Sequence, residues 1–302
     1  MTTINRRAFT LGSAGLLLAT TLNGRAAAQE TRTVTTVYGT YDIPVAPKRV
    51  VAIDSRLDLQ PALALGLPVI GYGHSKPGPW VPGTDGLEFY GSEVNIEQVL
   101  AANPDLIICT AYDPDSVWWP ANKLKAIAPV VPTDGDKPWK ESFRDLADLL
   151  DMHGQGEEAF GAYDALIADI KARHADKLAT KTIVSIQPGQ GTAYLMNGAK
   201  MLQPQVLADL GARTIAPLEG QDYDTEVAAE QFGEALGKVD GIILSTFAPE
   251  DMDGLKDEPL WQRLPAIANG ATVVSNGNIN YGSIYSATHV AKMIDELLGR
   301  IA

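Results

Sequence analysis

The sequence predicts an α/β fold in which two Rossmann-like α/β lobes are bridged by a single long α-helix, with a ligand cleft between the lobes. Three observations predict it. Residues 48–54 and 181–187 are short, β-branched and continuously apolar between polar flanks, as strands buried on both faces of a parallel sheet are. From Lys48 and from Lys181 alike, 49 positions lead to a glutamate, Glu97 or Glu230, that opens a short helix, an Asp-bearing turn and another buried strand. Equal offsets in two halves argue for two related lobes rather than one continuous sheet. Between the halves, Phe160, Tyr163, Ile167, Ile170, His174 and Leu178 fall at three- and four-residue spacing, so residues 157–179 predict an amphipathic helix about 35 Å long at 1.5 Å per residue.

The elements follow in chain order. Residues 1–28 carry Arg6, Arg7 and Arg25, no acid, a weakly apolar run from Leu11 to Leu22 and Ala26-Ala27-Ala28 before Gln29. That is a secretory signal, and the Arg-Arg pair with Phe9 two positions on resembles the twin-arginine type. The apolar run is far short of the roughly 20 residues that span a bilayer, and no cysteine near the cleavage site offers a lipid anchor. The mature protein is therefore expected to be free in the periplasm. Residues 29–152 form the first lobe, 153–179 the bridging helix and 180–302 the second lobe. Gly154-Gln155-Gly156 separates the helix from an earlier amphipathic stretch at 139–150, and the lobe junction is expected there.

Charge and cysteine content narrow the function. The 302 residues include 24 basic and 37 acidic groups, a net charge of −13; without residues 1–28 the balance is 21 against 37, or −16. An electrostatic nucleic-acid binder is excluded. Cys109 is alone, and no Cys/His cluster has zinc spacing. Neither a Gly-x-Ser-x-Gly elbow in the mature chain nor an HExxH motif is present, and Gly189-Gln190-Gly191 reads as a hairpin loop rather than a nucleotide site. Of the histidines, His74 falls on a strand-end loop, His174 is expected to pack on the helix stripe, and His153 and His289 to sit near helix ends. Ligands of open α/β sheets lie beyond the carboxyl ends of strands. Here those ends are Asp54-Ser55-Arg56, Gly71 to His74, Thr110 to Tyr112, Gln187 to Gly191, Ser245 to Phe247 and Ser275 to Tyr285.

The stretch from Asn95-Ile96-Glu97 into Pro104-Asp105-Leu106-Ile107-Ile108 resembles the periplasmic binding proteins for iron–siderophores, haem and vitamin B12. The early strand at 48–54, Ala64 to Gly71, Met196-Asn197-Gly198 leading to 206–211, and Pro259 to Ala266 extend the likeness in order over residues 46–300. The resemblance implies a substrate-binding protein of an ABC importer, two lobes on one rigid helix, and a glutamate on each lobe docking a membrane permease; Glu97 and Glu230 match those positions. It also implies a cleft of arginine and aromatic residues and no resident cofactor. Arg56, just beyond the first strand, is the expected anion contact, because a guanidinium forks two bonds to catecholate, hydroxamate or carboxylate oxygens. Tyr112 and the pair Trp118-Trp119 are expected to form a stacking wall, and Tyr72, Trp80 and Tyr90 to flank the mouth at a Gly/Pro-rich excursion. Tyr281 and Tyr285 lie where some members place a ligand tyrosine; Tyr281 is expected to donate a hydrogen bond or to touch iron.

The reading is a monomeric periplasmic carrier that captures a ferric siderophore and delivers it to an inner-membrane ABC permease. Haem and cobalamin are the alternatives within the family. A secreted hydrolase and a sensory binding module without a permease are the alternatives outside it.

Overall fold

The computed structural model describes residues 30–302 apart from Leu218 and Ala248. The export signal read at 1–28 lies outside the described residues. The chain opens with a hairpin of β1 (Thr31–Thr36) and β2 (Gly39–Pro44). There follow β3 (Val50–Asp54), α1 (Leu59–Ala64), β4 (Val69–Gly73), β5 (Glu88–Phe89), α2 (Ile96–Ala101), β6 (Leu106–Ile108), α3 (Ala121–Leu124), β7 (Val130–Val131) and α4 (Trp139–Leu149). The five strands from β3 to β7 form a wholly parallel sheet in the order β5-β4-β3-β6-β7.

The long helix is α5 (His153–Thr180). Beyond it come β8 (Ile183–Pro188), β9 (Thr192–Leu195), α6 (Leu202–Leu210), β10 (Thr225–Ala228), a 3-10 turn at Ala229–Gln231, α7 (Phe232–Leu236) and β11 (Gly241–Leu244). A 3-10 turn at Pro249–Met252, α8 (Asp253–Lys256), α9 (Pro259–Gln262), α10 (Pro265–Ala268), β12 (Thr272–Val274) and α11 (Ile284–Arg300) complete the chain. The second sheet has the order β10-β9-β8-β11-β12, with β9 antiparallel to both its neighbours. The loop at Gly189-Gln190-Gly191 is the β8–β9 hairpin, as its sequence suggests.

Matching devices set the register of both lobes. The Asp105 carboxylate, just before β6, accepts the backbone N–H groups of Lys48 and Arg49 at 2.8 and 2.9 Å. Asp240, just before β11, accepts the N–H of Thr182 at 2.9 Å. Each aspartate satisfies backbone donors at the entry of the neighbouring central strand. Asn95 caps α2 by accepting the Gln98 N–H at 3.1 Å, leaving Glu97 exposed in the first turn. Glu230 is exposed at the corresponding place in the 3-10 turn.

Two expectations about the bridging helix are corrected. Gly154-Gln155-Gly156 does not separate two helices; it lies within the first turns of α5, and a Cβ on Gly156 would stand 3.2 Å from the Ala147 methyl. The glycine marks a close approach of α4 and α5 rather than a break. His174 is not a helix-stripe core residue. It leaves helical geometry (φ −122°, ψ 23°), kinks α5, and brings its Nε2 to 2.9 Å from Asp295 of α11 beside Arg173. The other predicted stripe residues, Phe160, Tyr163, Ile167, Ile170 and Leu178, are buried.

Alternate residues of the central strands face different cores, as a period of two requires. Val51, Ile53 and Ile107 pack in one cluster of the first lobe, and Val184, Ile186 and Ile242 in one of the second. Val50, Leu106, Ile108, Ile183 and Ile243 all contribute to a third cluster that runs through α4, α5, α6 and α11 and is shared by both lobes. A polar tie reinforces it. Buried Gln60 of α1 accepts the backbone N–H groups of Ser283 and Ser286 at 3.2 and 2.9 Å and donates to the Ser286 hydroxyl at 2.8 Å. The open amides at the start of α11 are thus satisfied from the opposite lobe.

Phe160 sits where α4 meets α5, with ring centroids 5.0 Å from Phe143 and 5.7 Å from Trp139. Phe160→Ala is expected to cost roughly 3–5 kcal/mol in urea unfolding followed by tryptophan fluorescence, against less than about 0.5 kcal/mol for the exposed Glu158→Ala.

Candidate functional site

The carboxyl ends of β3, β4 and β6 face loops of the second lobe across a cleft. A cavity of about 370 Å³ lies there, lined by Arg56, Leu57, His74, Tyr112 and Trp119 from the first lobe and by Tyr223 and Tyr281 from the second. A second cavity of about 400 Å³ shares Arg56 and His74 and continues between the loop 75–79 and the loop 276–278 with Phe247. Three tyrosines, a tryptophan, an imidazole and one guanidinium make the first cavity an aromatic-walled site with polar tips.

At its floor lies an ion pair that sequence reasoning missed. Asp54 ends β3 fully buried. Its Oδ2 meets Arg56 Nη2 at 2.8 Å, and its Oδ1 accepts Arg56 Nε at 3.2 Å and the backbone N–H groups of Arg56 and Leu57 at 2.7 and 3.2 Å. Trp119 Nε1 donates to Oδ2 at 3.2 Å. Burial alone raises the Asp54 carboxyl; the Arg56 charge, its hydrogen bonds and His74 outweigh this and hold it at about 2. Arg56 also lies over the Tyr281 ring, 5.3 Å from its centroid. Arg56 is thus at the cleft as expected, but it is not a free anion contact.

A second carboxylate supports the first from below. Asp58 is buried and accepts the backbone N–H groups of Asp54 and Thr110 and the hydroxyls of Thr110 and Thr133, at 2.5 to 3.1 Å. Burial and the nearby Asp54 charge raise its carboxyl to about 7. His74 stands at φ 64° at the end of β4, a left-handed conformation sparsely used by non-glycine residues at turns and sites. Its Nε2 is 3.7 Å from Asp54 Oδ2, its ring 4.9 Å from Trp119, and its Nδ1 is buried without a partner. Burial, with the Arg56 charge beside it, depresses its pKa despite Asp54.

The other expected residues divide. Tyr112 and Trp119 pack edge to face at 4.8 Å in the cavity wall, and Tyr281 faces them. Trp118 does not line the cavity; it is 47% exposed and edge-on to Trp119 at 6.1 Å. Tyr72 is corrected to a core residue, buried against Phe89 beneath β4, because its strand position points away from the cleft. Tyr90 is likewise buried. Tyr285 is corrected as well: it lies in the first turn of α11 and lines a groove of about 530 Å³ against α1 and α5, away from the cleft. Trp80 crosses to the second lobe, stacks on His289 at 4.0 Å and 6°, and donates to the Ser286 hydroxyl at 3.1 Å. His289 is therefore an interlobe packing residue rather than a solvated helix end. No group of three or more potential metal-ligating His, Cys, Asp or Glu occurs among the described residues.

The sequence signals for what was missed are uneven. Asp54 is legible as an acid closing a wholly apolar strand two residues before an arginine. Tyr223 has no such signal, since it precedes a strand instead of following one. It is brought in by the loop that leads into β10.

Arg56→Ala leaves Asp54 buried and unpaired and is expected to cost about 3–5 kcal/mol at pH 7. Because the native Asp54 value lies below the ordinary 3.8, its contribution is present above pH ~4 and lost as pH falls through about 2. The difference between wild type and Arg56→Ala is therefore expected to shrink on acidification from pH 4 to 2, measured by urea unfolding; a constant difference contradicts the pairing.

A family model described as periplasmic binding protein matches residues 89–275, more than half of the chain. The probable siderophore-binding lipoprotein YfiY of Bacillus subtilis is 29% identical over 267 residues, covering 82% of this chain and 81% of YfiY. The iron(3+)-hydroxamate-binding protein FhuD of Escherichia coli is 24% identical over 274 residues, covering 84% and 88%. Among solved structures, an FhuD fold-family periplasmic binding protein component of a Fep/Fec-like ferrichrome ABC transporter from Bacillus subtilis superposes with a TM-score of 0.75 at 22% identity, over 88% of this chain and 99% of that one. Proteins of this family bind substrates for transport and are not enzymes, so the secreted-hydrolase reading falls. The two sheets, the long helix and the matched sequence agree: the chain belongs to the periplasmic binding protein family.

Proposed function

We propose that the protein captures a ferric siderophore in the periplasm, after twin-arginine export, and delivers it as a monomer to an ABC permease. The observation that carries this reading is the interlobe cavity of aromatic rings around Arg56, open to solvent and joined to a second cavity of similar size. Its walls suit a large, rigid ligand with apolar flanks and oxygen acceptors. Tyr112, Tyr281 and Tyr223 supply hydroxyl donors, Trp119 a stacking face, and Arg56 a guanidinium edge. The names of the relatives point the same way. No helix of the described residues is long and apolar enough to cross a membrane.

Trp119 makes the site self-reporting. Titration with ferric hydroxamate, catecholate and citrate complexes is expected to quench tryptophan emission saturably for at least one of them, with Kd at or below about 1 µM, and Trp119→Phe to remove most of that signal. Saturation only by haem, with a new absorption band, or only by cobalamin replaces the ferric siderophore with that ligand.

Delivery is assigned to Glu97 and Glu230. Each is exposed in the first turn after a matched strand–loop unit, and a pair of carboxylates at a fixed separation suits two basic pockets on a partner. The double variant Glu97→Lys/Glu230→Lys is expected to keep ligand affinity within about twofold while abolishing ligand-dependent uptake in cells that depend on this protein. Loss of ligand binding, or unimpaired uptake, contradicts the assignment.

A further inference from the structure

An arginine attracts an anion with the charge its surroundings leave over. Among the described residues lining the 370 Å³ cavity, Arg56 is the one permanent cation, and its Nη2 and Nε are both engaged by a fully buried carboxylate. The nearby lysines do not supply a replacement. Lys200 pairs with Asp136 at 2.8 Å and with Asp222 at 3.5 Å, and Lys137 with Asp145 at 2.6 Å. Lys76 belongs to the neighbouring cavity and is exposed, where water screens it. The chain as a whole carries more acid than base, 37 acidic against 24 basic groups, and so adds no general attraction for an anion.

We propose that Asp54 sets the charge preference of the cleft: by neutralising Arg56 it makes the site select an uncharged ferric trishydroxamate over a trianionic ferric triscatecholate. The inference rests on the siderophore reading above and narrows it. A multiply charged anion entering this cavity loses hydration and meets a floor with no net positive charge. An uncharged complex loses little. Arg56 Nη1 takes no part in the bonds to Asp54, so it remains a donor to a hydroxamate or carbonyl oxygen, and the rings of Tyr112, Trp119, Tyr223 and Tyr281 cover the apolar flanks. The arginine then acts as a fixed hydrogen-bond donor rather than as a charge.

The test measures tryptophan quenching by ferrichrome, an uncharged trishydroxamate, and by ferric enterobactin, a triscatecholate anion. The wild type is expected to bind ferrichrome at least about tenfold more tightly, with an affinity that changes less than about twofold between 0.05 and 0.5 M NaCl. Asp54→Asn, folded by circular dichroism, is expected to shift the ratio about tenfold toward ferric enterobactin by releasing the Arg56 charge. Should that variant not fold, the wild-type ratio and its salt dependence decide the matter. A wild-type preference for ferric enterobactin, or an unchanged ratio in folded Asp54→Asn, overturns the proposal and leaves the siderophore reading standing. Failure of every ferric complex to bind removes that reading, and this one with it.

Discussion

The structure depends on one constraint: the two lobes share a hydrophobic core, so the cleft is held open by packing rather than by a tether. Val50 and Leu106 of the first sheet and Ile183 and Ile243 of the second reach the same cluster through α5 and α11. Buried Gln60 then satisfies the first amides of α11 from across the boundary, and Trp80 stacks on His289 beside it. Opening the lobes would expose apolar surface at about 25 cal/mol per Å² and strip donors buried at the start of a helix. Large hinge motion is thus disfavoured, and the cavity is largely formed before a ligand arrives. This matches a rigid cargo, for which a preformed wall loses little ordering entropy on binding.

The same rigidity permits the polar stack beneath the cavity. Asp54 and Asp58 are buried within a few residues of each other, a costly arrangement unless each is compensated. Asp54 is satisfied by Arg56, two backbone amides and Trp119; Asp58 is satisfied by two amides and two threonine hydroxyls from the ends of β6 and β7. The threonines stand at matching strand ends, so the parallel register of the sheet aims both at one carboxylate. Sheet order, buried acid and exposed guanidinium edge form one chain of cause.

Much of this frame was legible in the sequence. Apolar runs located β3, β6, β8 and β11, the 49-residue offset exposed the paired units, and the helical stripe gave α5 because its signal extends over many turns. The kink at His174 was not legible, since the partner its ring meets there, Asp295, is more than a hundred residues away. Site residues divided along the same line. Those in the loops that follow strand ends, Arg56, Tyr112 and Tyr281, line the cavity, whereas Tyr72 lies within β4, where alternation decides its face. Tyr285 begins a helix whose buried stripe turns it toward α1 and α5. Sequence position marks a strand end well, but it does not mark which side of an adjoining helix faces the cleft.

The repeat that reveals the fold does not extend to the binding surface. Asp105 and Asp240 perform one structural task in both lobes, and Glu97 and Glu230 occupy equivalent exposed turns. At the cleft the lobes diverge, because the second sheet replaces a parallel neighbour of its central strand with the antiparallel β9. The β8–β9 hairpin leaves no crossover loop to mirror the one bearing His74. The second lobe therefore contributes Tyr223 and Tyr281, while the ion pair, the histidine and the indole come from the first. The cavity wall is concentrated in loops of one lobe and covered by rings from the other. A change of wall ring such as Tyr223 can thus alter the cavity without disturbing the matched units, whereas Asp54 and Arg56 can change only together, because each compensates the other.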